Sequence, residues 1–408
     1  MRTLAVLIFL LTYALIASRK LRLLPLGRPA GALLGATLMV VAGVLTPQES
    51  YHAIDGDTLL LLFATMVIAA YLERSGAFAA LAGFLRRAGR SPLGLLFLLV
   101  GVSGGLSAFL VNDTVCVMLT PLVVAVCLHF ELPMGPYLIA LATSANIGSA
   151  ATLVGNPQNM IIGSMSGVGF TPFLLEAGPA ALVGLVLNAA LLWLFYRKRL
   201  PAAFPAEHGG PPELVPRLGS PLPAIVACGV AAGFLLGLHL GYTALAGAML
   251  LMLAERREPR EVFQRVEWTL LVFFAGLFIV VAGLAKTGLV EEAWRWAAPY
   301  FQLHEAGGLA GFTAFMTAGS NLVSNVPMVL LTGPALPSLG SPERGWVLLA
   351  FVTTVAGNLT LLGSVANIIV AEQAKAHYAL GFWEYLKFGL VSTVVVLAAG
   401  VPLICWLT

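Results

Sequence analysis

Charge is what this chain has least of. Its 408 residues carry 22 basic and 19 acidic side chains, 10% in all, against roughly a quarter in an ordinary soluble domain. That scarcity excludes a soluble enzyme. The basic residues sit in short clusters between apolar runs, which excludes a nucleic-acid binder. Cysteine is scarce as well. Cys116, Cys127, Cys228 and Cys405 all lie inside apolar runs, with neither metal-ligand spacing nor a secreted disulfide framework. The six histidines stand in loops or at the ends of apolar runs, and none is assigned a role. No glycine-rich phosphate loop with its lysine is present, so no cofactor is expected and energy from a nucleotide would need a separate subunit.

Hydrophobic residues abound instead. They make up 59% of the chain, room for about ten to twelve crossings of a bilayer at roughly 20 residues each. The chain therefore reads as a polytopic integral membrane protein. Residues 3–17 have the length of a signal peptide, but Arg19, Lys20 and Arg22 follow that run instead of preceding it. We read it as the first span.

Apolar runs at 3–17, 30–45, 58–72, 92–130, 135–163 and 173–195 form a first half; runs at 221–238, 241–254, 268–285, 307–339, 345–374 and 386–407 form a second. The Pro-rich stretch Pro201–Pro223 lies between them. The domain reading is a first transmembrane repeat over 1–200, a cytoplasmic linker over 201–223 and a second, inverted repeat over 224–408. If the fourth run of each half is a hairpin that enters and leaves on one side, the halves have opposite orientation and both termini face outward. Eighteen of the 22 basic residues then fall on the cytoplasmic side, leaving Arg2, Lys286, Arg295 and Arg344 outside, as the positive-inside rule requires. Complete double crossings would give the same loop sides, so the charges support orientation and leave re-entrance open. The amphipathic stretch Glu73–Arg90 is expected to be an interfacial helix before the first hairpin.

The halves also align residue by residue. Leu72-Glu73-Arg74-Ser75-Gly76 parallels Leu284-Ala285-Lys286-Thr287-Gly288; Val111-Asn112-Asp113 parallels Ser324-Asn325-Val326; and Thr152-Leu153-Val154-Gly155 with Asn159 parallels Thr360-Leu361-Leu362-Gly363 with Asn367. Inverted repeats with interrupted helices are the architecture of secondary transporters. The expected fold is thus all-α and polytopic, with about ten full transmembrane helices, two re-entrant hairpins and helices broken at the midplane.

Polar residues locate the breaks. Thr143 to Ser149, followed by Thr152, Gly155, Asn156, Pro157, Gln158 and Asn159, is too polar and too rich in Gly and Pro for a lipid-facing helix. Gly357, Asn358, Thr360, Gly363, Ser364 and Asn367 repeat the pattern. Irregular backbone survives in hydrocarbon only when buried in protein or lining a cavity, and the helix ends it exposes can hold ions. Four clusters, around Asn112, Asn146 to Asn159, Asn325 and Asn358 to Asn367, are expected to meet near the midplane. The plain alternative is that these groups tie helices together, at about 0.6 kcal/mol each.

Asp113 stands apart, being the one acidic residue deep in an apolar run. An aspartate at a helix centre costs roughly 2.5–3.5 kcal/mol. A proton, a bound cation, or a donor such as Asn112, Thr114 or Asn325 is expected to offset it. Sodium or a proton is the coupling ion this implies, with sodium near Asp113 and Asn146.

Asn112-Asp113-Thr114 with Leu119-Thr120-Pro121, Ala145-Asn146-Ile147-Gly148 with Gly155-Asn156-Pro157-Gln158-Asn159, and Ser324-Asn325-Val326-Pro327 together resemble the ion transporter superfamily. That group includes arsenite efflux permeases, divalent-anion:sodium symporters and certain sodium/proton antiporters. In the symporters the hairpin tips carry Ser-Asn-Thr, bind sodium and hold a carboxylate between them. The resemblance implies that Asn112 and Asn325 touch substrate. Val111, Asp113 and Val326 lack the hydroxyls of that pattern, and the Asn-Asp pair and the Asn-x-Pro are closer to the arsenite permeases. The resemblance also implies a homodimer, an elevator-like motion and, for an arsenite pump, a soluble ATPase subunit.

The function expected is an ion-coupled secondary active transporter of a small anion or oxyacid in the cell inner membrane, coupled through Asp113. Neutral arsenous acid suits a site of Asn, Ser and Thr without a basic clamp. A sodium/proton antiporter that carries no anion is the alternative. An intramembrane protease would need a second deep acid or a deep histidine, and a passive channel would not need broken helices in both halves.

Overall fold

The computed structural model describes residues 1–17, 27–77, 80–81, 83, 91–204, 219–256 and 258–408. The expected interfacial helix within 73–90, the middle of the 201–223 linker, and the basic residues Arg19, Lys20, Arg22, Arg86, Arg87, Arg90, Arg217 and Arg257 lie wholly or partly outside these. Among the described residues the structure is all helical, with no strand. In chain order come α1 (Arg2–Ala17), α2 (Arg28–Val41), α3 (Pro47–His52), α4 (Gly56–Arg74), α5 (Pro92–Phe109), α6 (Asn112–His129), α7 (Met134–Ser149), α8 (Pro157–Ser166) and α9 (Phe170–Tyr196). They continue with α10 (Leu222–Leu235), α11 (Leu240–Glu255), α12 (Trp268–Ala285), α13 (Leu289–Ala297), α14 (Ala306–Val323), α15 (Asn325–Thr332), α16 (Pro342–Ala356), α17 (Val365–Ala374) and α18 (Phe382–Leu407). Six of these, α4, α5, α6, α9, α12 and α18, are long and apolar enough to cross a membrane, and the chain is an integral membrane protein.

Local chemistry starts several of these helices. A capping box of Thr46 and Glu49 opens α3, the Asp55 carboxylate accepts from Thr58 N at 3.1 Å to open α4, and Ser91 followed by Pro92 opens α5. The helices then pack through small residues, the way apolar helices approach in lipid. At the α5–α7 crossing, a Cβ on Gly148 would come within 2.1 Å of the Gly104 carbonyl oxygen. Only glycine fits there.

The packing scheme exchanges corresponding elements. α2 lies along α12 while α11 lies along α4; the outgoing arm α6 packs on α17 while α15 packs on α8. At the base of the α5–α6 hairpin, Tyr137 Oη donates to the Pro92 carbonyl at 2.7 Å, and Glu384, at the start of α18, sits against Gly135. At the base of the α14–α15 hairpin, Arg344 donates to the Leu303 carbonyl at 3.4 Å and to Thr408 Oγ1, beyond the end of α18, at 3.0 Å. The two hairpin bases therefore lie at opposite ends of α18, a helix of 26 residues.

A candidate polar binding site at two hairpin tips and two helix breaks

Two interruptions build the centre. α7 ends at Ser149 and α8 restarts at Pro157, where Asn156 caps the new helix by accepting from Asn159 N at 2.9 Å. α16 ends at Ala356 and α17 restarts after Ser364. The breaks are held in the same way. Asn159 Nδ2 donates to the carbonyls of Ser149 (3.3 Å) and Thr152 (2.9 Å), and Asn367 Nδ2 donates to those of Gly357 (2.8 Å) and Thr360 (3.1 Å). Each asparagine thus clamps the residues ten and seven places before it.

Asn146 joins the halves. Its Nδ2 donates to Asn358 Oδ1 (2.8 Å) and Asn367 Oδ1 (3.0 Å), while its Oδ1 accepts from Asn112 Nδ2 (2.9 Å) and Ser364 Oγ (3.0 Å). Backbone carbonyls fix these amide orientations. Asn367 Nδ2 faces two of them and Asn358 Nδ2 faces that of Thr143 at 3.0 Å, so both Oδ1 atoms point at Asn146 and its oxygen must point at Asn112. Asn112 therefore spends its donor inward and is left with Oδ1, which is buried without a partner. Thr354, placed in α16 as Asn146 is in α7, accepts from Asn156 (3.3 Å) and Gln158 (3.1 Å).

The hairpin tips reach this centre. Asn112, the first residue of α6, donates its backbone N–H to the Gly155 carbonyl at 2.9 Å, and Thr152 Oγ1 donates to the Ala108 carbonyl. Gly155 has no room for a side chain, since a Cβ would lie 2.2 Å from the Ser149 carbonyl oxygen. Asn325, the first residue of α15, is 7% exposed, and its Oδ1 is buried without a partner like that of Asn112. A Cβ on Gly357 would sit 3.2 Å from both Asn325 Nδ2 and Ser364 Cβ. Ser324 is exposed at the second tip with φ 74 and ψ 159. Thr360 Oγ1 donates to Asn321 Oδ1 at 3.2 Å.

Asp113 and Thr114 face away from the amides and line a cavity of about 400 Å³ with Val365, Arg28, Glu73, Arg265 and Glu267. Among the described residues no hydrogen bond or ion pair reaches the Asp113 carboxylate, which corrects the expectation of Asn112, Thr114 or Asn325 as its donor. As the second residue of α6, Asp113 is turned from the tip into the cavity. Of the remaining expected residues, Asn112, Asn146, Thr152, Gly155, Asn156, Asn159, Asn358, Thr360, Ser364 and Asn367 are joined by the bonds above, whereas Asn325 lies beside Gly357 with no side-chain hydrogen bond among the described residues and Ser324 stands exposed at the tip. Sequence reasoning passed over Thr354, Asn321 and Asn188. Asn188, on α9, donates to Thr143 Oγ1 and Ser144 Oγ at 3.0 Å each and accepts from Ser392 Oγ at 2.8 Å. A lone amide in an apolar run was the signal.

What the centre offers is acceptor oxygen. Asn112 Oδ1, and beside the centre the Asp113 carboxylate, suit a cation, a proton or an O–H group. The Asn325 amide, with no hydrogen bond among the described residues to fix it, can present its oxygen or its Nδ2, and no basic side chain among the described residues hydrogen-bonds the amide cluster. Asn146 Oδ1, with two bonds already, has less to give an ion than Asn112 Oδ1. A second vestibule of about 350 Å³, at the opposite end, is lined by Asp57, His239, Met160 and Ser164.

A buried polar centre at broken helices, with a cavity beside Asp113 at one end, belongs to a membrane transporter and not to an enzyme. The chain is a member of the citrate transporter family, whose profile matches residues 13–356. It is 37% identical to the silicon efflux transporter LSI3 of Oryza sativa subsp. japonica over 93% of each chain. It is 30% identical to the putative transporter arsB of Dictyostelium discoideum, covering 93% of this chain and 88% of the relative. Two solved structures share the fold. The YdaH transporter of Alcanivorax borkumensis has a TM-score of 0.57 at 17% identity, covering 99% of this chain and 96% of that one. MtrF of Neisseria gonorrhoeae, described as one of a class of antimetabolite efflux pumps, has a TM-score of 0.58 at 15% identity, covering 99% and 94%.

Proposed function

We propose that this protein is an ion-coupled secondary active transporter that exports a small oxyacid such as silicic or arsenous acid, with Asp113 carrying the coupling proton or sodium. The observation that carries this reading is the polarity of the centre. Asn112 Oδ1, its amide orientation fixed by the bond to Asn146, is a buried acceptor without a partner among the described residues, so it favours a solute that donates O–H groups over a bare anion, which its lone pairs would repel. The silicon efflux and arsB relatives point to the same chemistry. Two inverted repeats are supported by the exchanged packing partners, the matching clamps at Asn159 and Asn367, and the hairpin bases at opposite ends of α18, and an inner-membrane placement with both termini outside is supported by the distribution of basic residues. The cavity beside Asp113 then opens toward the cytoplasm, the loading side of an exporter.

The test is flux of arsenite and silicic acid into proteoliposomes with imposed proton or sodium gradients. Gradient-driven flux is expected in the wild type, and Asp113→Asn is expected to lose the gradient response while still exchanging solute. Identical, gradient-independent exchange in both proteins would remove the coupling role. Dye quenching with no oxyacid present, if it reported full sodium/proton exchange, would favour the antiporter instead.

A further inference from the structure

We propose that α14 carries a hydrated route, along Thr313, Thr317 and Ser320, from the end of the molecule opposite the Asp113 cavity to the Asn325 tip. Several buried Thr within helices return their hydroxyls to the carbonyl one turn earlier, Thr65 to Leu61, Thr120 to Cys116, Thr332 to Met328 and Thr353 to Leu349, at 2.6–2.8 Å, and Ser364 and Ser392 bond an amide instead. Thr313, Thr317 and Ser320 break that habit, each burying its hydroxyl oxygen without a partner. Their i, i+4, i+7 spacing puts them on one helix face. Just beyond the end of the helix at Val323 stand Ser324 and Asn325, and Asn325 Oδ1 is a fourth buried polar atom without a partner among the described residues. Ser320 is 0% exposed, whereas Phe315 and Leu322, on the opposite side of α14, are 43% and 84% exposed, so the hydroxyl face is turned from the lipid. Buried polar groups in such a row are satisfied by water, which typically bonds about three neighbours.

The first hairpin lacks this row. In α5, Ser103 bonds the Leu99 carbonyl at 2.7 Å and the arm before it is Leu95, Leu96, Leu99 and Val100. Only Ser107, placed before Asn112 as Ser320 is before Asn325, is left without a partner. The first tip opens into the space beside Asp113, and the row on α14 gives the second tip a route to water along its own arm.

The inference goes beyond the proposed substrate and coupling, and its first test does not need transport. With Cys228 and Cys405 changed to Ala and the buried Cys116 and Cys127 kept as the unlabelled background, one cysteine at a time is introduced at Thr313, Ala314, Thr317, Ala318 or Ser320 in the full chain. Each protein is reconstituted and exposed to a charged, membrane-impermeant methanethiosulfonate, the parent without an introduced cysteine serving as blank. Because the thiolate in water is the reactive species, Thr313→Cys, Thr317→Cys and Ser320→Cys should label about tenfold faster than Ala314→Cys and Ala318→Cys. The labelling should come from the side on which Arg344 lies. Equal rates along the helix, or labelling of the three only from the other side, overturns the proposal. As a second readout on near-isosteric side chains, Thr317→Val should lower arsenite flux several-fold and Thr317→Ser should restore it; a Thr317→Val protein with wild-type flux also overturns it.

Discussion

Asn146 shows how a single amide can define a centre, with two donor and two acceptor bonds all used, three of them across the halves of the chain. Its importance was legible because it sits in a segment too polar for lipid. Asn188 was not, because α9 around it is uniformly apolar and only the structure shows Thr143, Ser144 and Ser392 converging on it. Ser324 was singled out for its place at the hairpin tip, yet its backbone was invisible in sequence. At φ 74 and ψ 159 it occupies a region that is essentially glycine's, at a cost of about 1–3 kcal/mol. Replacing it with Gly should release most of that, so Ser324→Gly is expected to raise the thermal midpoint of the purified protein. An unchanged or lowered midpoint would mean the serine is not strained there.

At the scale of elements, the breaks were read from composition and the structure supplies their construction. The clamps of Asn159 and Asn367 repeat because the sequence offset between the breaks is constant from Ser149/Gly357 through Asn159/Asn367. Periodicity could not give the hairpin turn at Leu110 and Val111, since α5 and α6 form one apolar run from Pro92 to Phe130. Nor could it show that Asp113 turns into the cavity while Asn112 turns toward the amides. Close backbone approach decides which glycines matter. Gly155→Ala would drive a Cβ to 2.2 Å from the Ser149 carbonyl oxygen, a clash at the upper end of the roughly 1–3 kcal/mol typical of overpacking. Gly105→Ala, in α5 with nothing within 4 Å of the new Cβ, should be neutral or stabilise by about 0.5–1 kcal/mol through helix propensity. Melting curves in detergent would compare the two; equal effects would show that the break tolerates a side chain.

Across the whole molecule, ion pairs at both ends join one half to the other. Arg265 meets Glu73 at 2.8 Å and Arg74 meets Glu255 at 3.4 Å at the cavity end. Lys286 meets Glu49 at 2.7 Å, and Arg2 meets Glu292, at the opposite end. Sequence gave the basic clusters and hence an orientation, but not these partners, which only chain folding brings together. Three of these pairs are exposed and the Arg74–Glu255 pair is half-buried. Exposed pairs are weak and screened by salt, so the cohesion of the halves rests mainly on the α2–α12 and α4–α11 packing. The Glu49–Lys286 pair still leaves a measurable signature. Hydrogen bonds from Lys286 and from the Thr46 backbone hold the Glu49 carboxyl at about 2, below its ordinary 4.5. A carboxylate depressed in the folded state stabilises fully above its unfolded pKa, and that contribution fades as pH falls through the folded value. Glu49→Gln should therefore melt slightly below the wild type at pH 7. The gap should narrow between pH 4.5 and 2 and shrink at high salt, and a gap unchanged at pH 2 would show that packing, not ionisation, accounts for the difference.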